Sequence, residues 1–278
     1  MAANRTKKAN NASSYRVQVL DRAIDVLECF SFQRRELSAA EIVDLTGLNR
    51  STARRLIAIL ERRGLLQEDP LTRRYRLGLR LFEMGGIVSS SFSLRQAASQ
   101  PLVNLAKQLN ATTLLAVRSD DSFVIVDKRE GVGTVSMPSE VGMTRALTHG
   151  PIGRVFMSRM DSDGIAELLD RYPLERSTSH SITDDHRFRE ELAKTSELGY
   201  AIDIEEVTEG IMGIAAPIMN FGEDVVAALC VGLPATKQAD SEYVNTAIDH
   251  LKGACAQISR SLGYGGNGVD GSSEEGMP

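Results

Sequence analysis

Residues 36–77 constrain the fold of this chain more than any other stretch, because they hold two helix signals, a glycine turn and a hairpin signal. Ser38, followed three residues later by Glu41, matches a capping box, which begins a helix. Gly47 is able to adopt the left-handed backbone conformation that ends such a helix. Asn49 then suits the N-cap of a second helix. The sequence therefore predicts two helices joined by a tight turn.

The second of these helices is predicted to be amphipathic, with apolar residues spaced at i, i+3, i+4 and i+7. These inward residues are Ala53, Leu56, Ile57 and Leu60. The opposite face is small, polar and basic, and it consists of Ser51, Arg54, Arg55, Ala58 and Arg62. A basic face of this kind is either a solvated surface or the face that a recognition helix shows to the major groove of DNA.

A basic hairpin after the second helix favours the DNA-binding interpretation. Gly64 closes the helix, and the turn sequence Asp69-Pro70-Leu71-Thr72 separates two short apolar runs. Arg73 and Arg74 follow at the tip, so the whole stretch predicts a winged helix-turn-helix, with these two arginines at the DNA backbone or minor groove. The residues predicted to contact DNA are Ser38, Asn49, Arg50, Ser51, Thr52, Arg54, Arg55, Arg73 and Arg74.

The charge of the chain is distributed unevenly. The net charge is −5, which taken alone argues against a nucleic-acid partner. Residues 1–85 hold 16 Lys and Arg against 10 Asp and Glu, a balance of +6, whereas residues 86–278 hold 16 against 27, a balance of −11. Because attraction to phosphate depends on the local patch, the basic N-terminal part suits a nucleic acid and the acidic remainder suits a separate domain.

The cysteines and the N-terminus indicate the cellular setting. Cys29, Cys230 and Cys255 lie in apolar runs and form no Cys-x-x-Cys pair. A sparse, odd set is typical of a reducing cytoplasm and argues against a disulfide framework or structural zinc. Residues 1–12 lack the apolar core of a signal peptide or a membrane span. We therefore expect a cytoplasmic protein with no metal and no membrane partner.

The sequence holds none of the motifs that would indicate catalysis. There is no Ser-His-Asp elbow, no phosphate-binding loop and no pair of histidines at metal-binding spacing on a helix. The four histidines are His149, His180, His186 and His250. We therefore expect no enzymatic activity and no cofactor, with an enzyme acting on a small carboxylic acid as the rival class.

Composition and periodicity divide the chain into five segments and predict an α+β protein. Residues 1–14 form a disordered arm, which either touches phosphates or is merely solvated, and residues 264–278 form a disordered tail. Between them we predict the winged helix-turn-helix at 15–77, a helical linker at 78–100 and an α+β domain at 101–263.

Some finer expectations concern individual helices. A first helix over 17–32 should bury Leu20, Ala23, Ile24, Leu27 and Phe30. Gly85-Gly86 should form a flexible joint after a short apolar helix. Thr183 should cap the helix that ends at Gly199.

Several ordered motifs in this chain resemble those of the IclR family of bacterial transcription regulators over about residues 17–263. The motifs are Leu48–Leu56, Asp69–Leu77, Thr183-Asp184 with Leu192, Gly199–Glu206, Gly210–Pro217 and Val226–Pro234. The resemblance implies a winged helix-turn-helix domain, a helical linker and a GAF-like effector-binding domain built on a six-stranded antiparallel sheet. It also implies a homodimer or homotetramer that binds a palindromic operator on double-stranded DNA.

The resemblance also implies an effector pocket, matched residue by residue to Thr148, His149, Gly150, Asp203, Ile211, Gly213, Cys230 and Gly232. Members that bind very small oxo-acids tend to carry Cys or Ser where this chain has Gly213, Cys230 and Gly232. Replacing hydroxyls by hydrogen should remove donors and open volume, so we expect a larger, flatter and partly apolar effector, such as an aromatic acid.

Three of these positions have a second interpretation. Asp203 is either an acceptor for a ligand hydroxyl or amine, or a surface acid in an acidic loop. His149 either donates to a ligand carboxylate or caps the helix that follows it. Cys230 is favoured as a small packing residue over a nucleophile, because no base or electropositive setting accompanies it.

The sequence therefore predicts a ligand-responsive transcription regulator with a small organic acid as its effector. A repressor of a catabolic operon is the leading interpretation, and an activator of the same kind is the alternative.

Overall fold

The computed structural model describes residues 18–90, 93–131 and 137–264, and the chain divides into two compact units, residues 1–91 and 92–278. The predicted arm, and the predicted tail beyond Tyr264, lie outside the described residues. No helix in the described part is long and apolar enough to cross a membrane.

The first unit is a winged helix-turn-helix. Helices α1 (Gln18–Glu28), α2 (Ala39–Thr46) and α3 (Arg50–Arg62) precede the hairpin of β1 (Leu66–Glu68) and β2 (Tyr75–Leu77), and α4 (Leu79–Ser90) follows. The hairpin is antiparallel, and an isolated bridge pairs Leu37 with Tyr75. The core of the first unit comprises Val26, Cys29, Phe30, Leu37, Ile42, Leu56, Ile57, Leu60 and Leu66.

The first helix is shorter than expected, and the predicted inward face was partly wrong. Val26 is fully buried, whereas Leu20 and Ile24 are exposed. Phe30 is buried as predicted, but it lies beyond the end of α1. The α1 sequence carries overlapping apolar stripes, and contact with α2 and α3 selects the one that contains Val26.

The joint predicted at Gly85-Gly86 is also wrong, because α4 continues through both glycines to Ser90. Glycine lowers helix stability by about 1 kcal/mol relative to alanine, but it does not forbid a helix.

The second unit is an α+β domain around one six-stranded antiparallel sheet, with strand order β5-β4-β3-β8-β7-β6. The strands are β3 (Thr112–Ser119), β4 (Ser122–Arg129), β5 (Thr144–Ala146), β6 (Ala201–Ile204), β7 (Ile211–Met219) and β8 (Val225–Pro234). The helices are α5 (Ser93–Leu109), α6 (Gly150–Met157), α7 (Ser162–Arg171), α8 (Asp185–Leu198) and α9 (Ser241–Ser261), with a single 3-10 turn at Ala235–Lys237.

Each face of this sheet covers a separate core, because successive side chains of a strand point to opposite faces. On β8, Leu229 and Val231 pack with residues of α5 and α9. Ala228 and Cys230 pack on the other face, with residues of α6 and α8. The second face carries the cavities described below.

The start of α8 differs by one residue from the prediction. Asp184, not Thr183, is the N-cap, and its carboxylate accepts a hydrogen bond from the Arg187 amide at 2.8 Å. Gly199 ends the helix in the left-handed conformation, as predicted.

Candidate functional site

Local hydrogen bonds fix the start of α3 as the sequence predicted. The Asn49 side-chain oxygen accepts hydrogen bonds from the Thr52 amide at 2.8 Å and from the Ser51 hydroxyl at 2.9 Å. The preceding Gly47 has φ of +65°, which sets the tight turn between α2 and α3. The side chains of Asn49 and Ser51 are therefore occupied in holding the helix start.

The outward face of α3 is basic and carries no internal counter-ions. Arg50, Arg54, Arg55 and Arg62 are exposed, and within the described residues none of them forms an ion pair. The inward residues Ala53, Leu56, Ile57 and Leu60 are buried, as predicted. This arrangement leaves several guanidinium groups free to contact phosphates or base edges.

Ser38 and Arg74 have roles within the domain that the DNA-contact prediction did not include. The Ser38 hydroxyl accepts from the Glu41 amide at 3.3 Å and donates to the Glu41 carboxylate at 2.8 Å. Arg74 donates to the same carboxylate at 2.8 Å and to the Glu36 carbonyl at 3.2 Å. The Ser38 amide also donates to this carboxylate. Its hydrogen bond is the largest cause of the lowered pKa of Glu41, about 2, followed by the hydrogen bonds of the Ser38 hydroxyl and Arg74. Such local hydrogen bonds, like those of Asn49 and Ser51, do not test the DNA-contact prediction, and the Arg74 side chain remains 37% exposed.

Arg73 is an exposed cation at the tip of the wing. Its backbone is left-handed, with φ of +58°, and its side chain is 74% exposed while one nitrogen contacts Glu68 at 3.1 Å. The Asp69 carboxylate accepts from the amides of Leu71 and Thr72, which holds the turn in shape. The wing thus presents Arg73 on a well-defined tip.

The second unit holds an apolar chamber of about 260 Å³ between the sheet, α6 and the loop after β6. Its wall includes six of the eight predicted effector residues, namely His149, Gly150, Asp203, Ile211, Gly213 and Cys230. An adjoining polar chamber of about 240 Å³ includes Thr148 and shares His149 and Gly150. Gly232 lines neither chamber. The structure therefore brings most of the predicted set to one cavity.

Asp203 is an inward-facing acid and not a surface residue. Only 4% of it is exposed, and its Oδ1 accepts from the Glu206 amide at 2.7 Å. Burial, and next the charge of Glu206, raise the pKa of Asp203 to about 6. The loop that follows is held in place, because the Thr178 hydroxyl donates to the Glu205 carbonyl at 2.6 Å. Asp203 thus presents a carboxylate to the cavity from a fixed support.

His149 occupies the N-cap position of α6, but its side chain makes no capping hydrogen bond. Burial, and then the charge of Arg145, lower its pKa, which favours the neutral ring. Gly150 has φ of +65°, and an added Cβ would lie 2.8 Å from a Val207 methyl carbon. A side chain at Gly150 would therefore clash with the neighbouring loop.

The glycines at 213 and 232 do not open volume, contrary to expectation. A Cβ at Gly213 would lie 3.1 Å from Pro151, and one at Gly232 would lie 2.2 Å from the Met137 sulfur. Pro151 and Met137 therefore fill the space that larger residues would take. The result is an apolar wall rather than a larger cavity.

Cys230 is a buried packing residue. Only 1% of it is exposed, it lies in the core beneath the cavity, and burial raises the pKa of its thiol. A thiol with a raised pKa is a poor nucleophile at neutral pH.

The sequence interpretation missed three arginines that line the cavities. Arg145 lies on both chamber walls, and Arg154 and Arg171 lie on the polar one. Arg154 is 1% exposed, contacts Glu206 at 2.7 Å and donates to the Ile202 carbonyl, while its Nε has no partner. The sequence signal for Arg154 was its position as a charged residue among the apolar residues of 151–157.

Comparison with known proteins identifies the family. Residues 19–70 match the IclR helix-turn-helix domain, and residues 87–260 match the C-terminal domain of bacterial IclR transcriptional regulators. The chain belongs to the IclR family. Its relatives include XynR of Escherichia coli, an HTH-type transcriptional regulator that is 31% identical over 248 residues, covering 89% of this chain and 98% of XynR.

Solved structures of IclR proteins share the fold. An IclR regulator from Alicyclobacillus acidocaldarius superimposes with a TM-score of 0.79 at 27% identity, covering 89% of this chain and all of that one. An IclR homologue from Microbacterium hydrocarbonoxydans, complexed with 4-hydroxybenzoate, superimposes with a TM-score of 0.78 at 26% identity, covering 88% of this chain and 98% of that one. This IclR protein is thus a ligand-responsive, DNA-binding transcription regulator and not an enzyme.

Changing Asp203 to Asn is expected to stabilise the C-terminal unit at neutral pH by roughly 2–3 kcal/mol, from the raised pKa of about 6. Both folded and unfolded chains are protonated at Asp203 below about pH 4, so the wild type carries no penalty there. Between pH 4 and 6 the unfolded state is ionised while the folded state keeps its proton, so the destabilisation of the wild type grows with pH. It is complete once the folded state has also lost its proton, above pH 6. Hydrogen exchange of β7 amides should therefore show a gain that grows between pH 4 and 6 and is constant above. Asp249→Asn, at an exposed position of α9, serves as the control; equal stability of Asp203→Asn and the wild type at pH 7.5 would contradict the prediction.

Proposed function

We propose that this protein represses a catabolic operon by binding a palindromic operator. Its affinity for the operator changes when a small organic acid, aromatic or derived from an aromatic acid, binds in the C-terminal unit. The observation that carries the proposal is the apolar chamber, whose wall brings Asp203, His149 and Arg145 together with aliphatic and aromatic surface. Effector sites are typically concave and mostly apolar, with a few convergent polar groups. We place the protein in the cytoplasm, with its DNA target.

The lining and the volume of the chamber support a ligand with a single ring. Phe123, Ile125, Pro151 and Met137 line it, and the glycines at 213 and 232 allow Pro151 and Met137 to pack close to the sheet. A volume of about 260 Å³ is large for a two-carbon acid and suits a single substituted ring. The Microbacterium relative's complex with 4-hydroxybenzoate supports the same ligand class.

The predicted DNA contacts remain Ser38, Asn49, Arg50, Ser51, Thr52, Arg54, Arg55, Arg73 and Arg74. A homodimer or homotetramer would present two such surfaces to the half-sites of a palindrome. The large apolar side chains exposed on the first unit support contact between copies, among them Val19 and Leu20 on α1 and Leu79, Phe82 and Ile87 on α4.

Residues 78–100 are the proposed route from ligand to DNA. A ligand shifts only an equilibrium between states that it binds with different affinity. We propose that the two states differ in the spacing of the paired DNA-binding units, which this segment sets.

The first test is a thermal-shift screen of the full chain with hydroxybenzoates, aminobenzoates, benzoate and aliphatic acids. The second is transcription in vitro from a template that carries the DNA sequence which the protein selects from a random-sequence pool. A cognate acid at about 100 times its dissociation constant should add near 2.7 kcal/mol of stability. The repressor assignment predicts less transcript with protein alone and recovery with the acid. A screen in which no acid stabilises the chain contradicts the effector class, and more transcript with protein alone contradicts the repressor assignment.

A further inference from the structure

Arg145 faces the apolar chamber from an edge of the sheet. It lies in the middle of β5, directly opposite Phe123 on β4. Residues paired across antiparallel strands project from the same face, and Phe123 is a buried residue of the cavity-side core. Arg145 lines both chambers and therefore borders the apolar and the polar space.

The positive charge of Arg145 has no counter-ion among the described residues. Its Nη1 donates to the Thr144 carbonyl at 3.3 Å, which does not neutralise the charge. The other two arginines of the polar chamber are paired, Arg154 with Glu206 and Arg171 with Asp121. The pKa of the neighbouring His149 is lowered, so this ring does not compete as a cation at neutral pH. Among the described residues that line the apolar chamber, Arg145 is therefore the cation that an anionic ligand would meet.

Asp203 lines the same chamber from the other edge strand of the sheet. Arg145 lies on β5 and Asp203 on β6, and these are the two edge strands of the six-stranded sheet. Both residues nevertheless line the same chamber of about 260 Å³. No ion pair joins the two charges in the described structure. The chamber wall thus combines a cation and an acceptor, from two different strands, with apolar surface.

We propose that Arg145 binds the carboxylate of the effector while Asp203 accepts a hydrogen bond from a hydroxyl or amine at the far end of the same molecule. The effector class is then a ring acid that carries a hydroxyl or amino substituent away from its carboxylate. This inference rests on the proposed function, and it adds an anchoring residue and a polarity for the bound ligand. Arginine suits the task because its planar guanidinium matches both oxygens of a carboxylate.

The test compares acids with their neutral amides on the full chain. Calorimetric titration with 3- and 4-hydroxybenzoate, 3- and 4-aminobenzoate and the corresponding amides should show at least one acid that binds the wild type about tenfold tighter than its amide. Arg145→Gln should weaken binding of that acid by about 10- to 100-fold and leave binding of the amide unchanged, because only the acid uses the charge. Arg118→Gln, which removes an exposed arginine on β3 that lines neither chamber, is the matched control and should bind the acid like the wild type.

The outcomes separate this inference from the function on which it rests. If an acid binds and Arg145→Gln binds it equally well, the anchoring role is wrong while the effector class stands. If none of these acids binds the wild type, both the effector class and the inference fail. Unchanged binding of the amide by Arg145→Gln shows that the variant cavity is intact, and loss of both ligands would contradict a role confined to charge.

The Asp203 end has its own readout. The wild type should bind the substituted acid more tightly than benzoate, because benzoate leaves Asp203 without a donor. Asp203→Asn should reduce this preference, since a neutral amide oxygen is a weaker acceptor than a carboxylate. A preference that is equal in the wild type and Asp203→Asn would contradict the orientation.

Discussion

Replacing Arg54 and Arg55 together with alanine is expected to abolish sequence-specific DNA binding while the fold remains intact. Both side chains are exposed on α3 and form no ion pair in the described structure, so their loss removes no internal ion pair. Alanine is the best helix former, so α3 itself should not weaken. Each well-formed pairing of an arginine with a base contributes about 1–3 kcal/mol of discrimination, so the double variant should lose roughly 2–6 kcal/mol.

The measurement is selection of bound duplexes from a random-sequence pool, followed by fluorescence anisotropy with the selected duplex at several salt concentrations. The control is Arg187→Ala with Arg189→Ala on α8, which removes the same charge from the second unit. That control should select the same sequence as the wild type. Recovery of the same sequence with equal affinity by Arg54→Ala/Arg55→Ala would overturn the assignment of α3 as the recognition helix.

The features that were predictable from the sequence are those that depend on neighbours in the chain. The capping box of Ser38 and Glu41, the left-handed Gly47 and the cap at Asn49 all involve contacts across three or four residues. Each residue type in these motifs has a chemical reason to be there, and that reason does not depend on distant parts of the fold. The turn at Asp69 is of the same kind.

Choices that depend on tertiary contact were less predictable. The sequence of α1 offers more than one apolar stripe, and packing against α2 and α3 leaves Leu20 exposed while it buries Val26. The hydrogen bonds of Arg74 with Glu36 and Glu41 join residues more than thirty positions apart. No periodic pattern encodes such a contact.

The candidate pocket shows the same division. Resemblance to the IclR family located Asp203, His149 and Cys230, because motif order carries over between relatives. It did not locate Arg145, whose position depends on the pairing of the three-residue strand β5 with β4. It also gave the wrong consequence for Gly213 and Gly232, because the space beside them depends on Pro151 and Met137 from other parts of the chain.

Removing Glu206 is expected to destabilise the C-terminal unit by about 3–5 kcal/mol, which is the usual cost of leaving a buried charge without its partner. The Arg154 side chain is 2% exposed and contacts Glu206 at 2.7 Å. In Glu206→Ala the guanidinium keeps the Ile202 carbonyl but loses its counter-ion, and its Nε is already without a partner. The free energy of unfolding, measured by exchange of the slowest β7 and β8 amides, should fall accordingly.

An exposed ion pair of the same length provides the control. Lys194 contacts Glu191 at 2.7 Å on α8, with its side chain 60% exposed, so Glu191→Ala should cost about 1 kcal/mol or less. Replacing both buried partners, as in Arg154→Met with Glu206→Leu, should recover most of the loss, because no unpaired charge remains. Equal costs for Glu206→Ala and Glu191→Ala would show that the pair is solvated and that burial does not set its contribution.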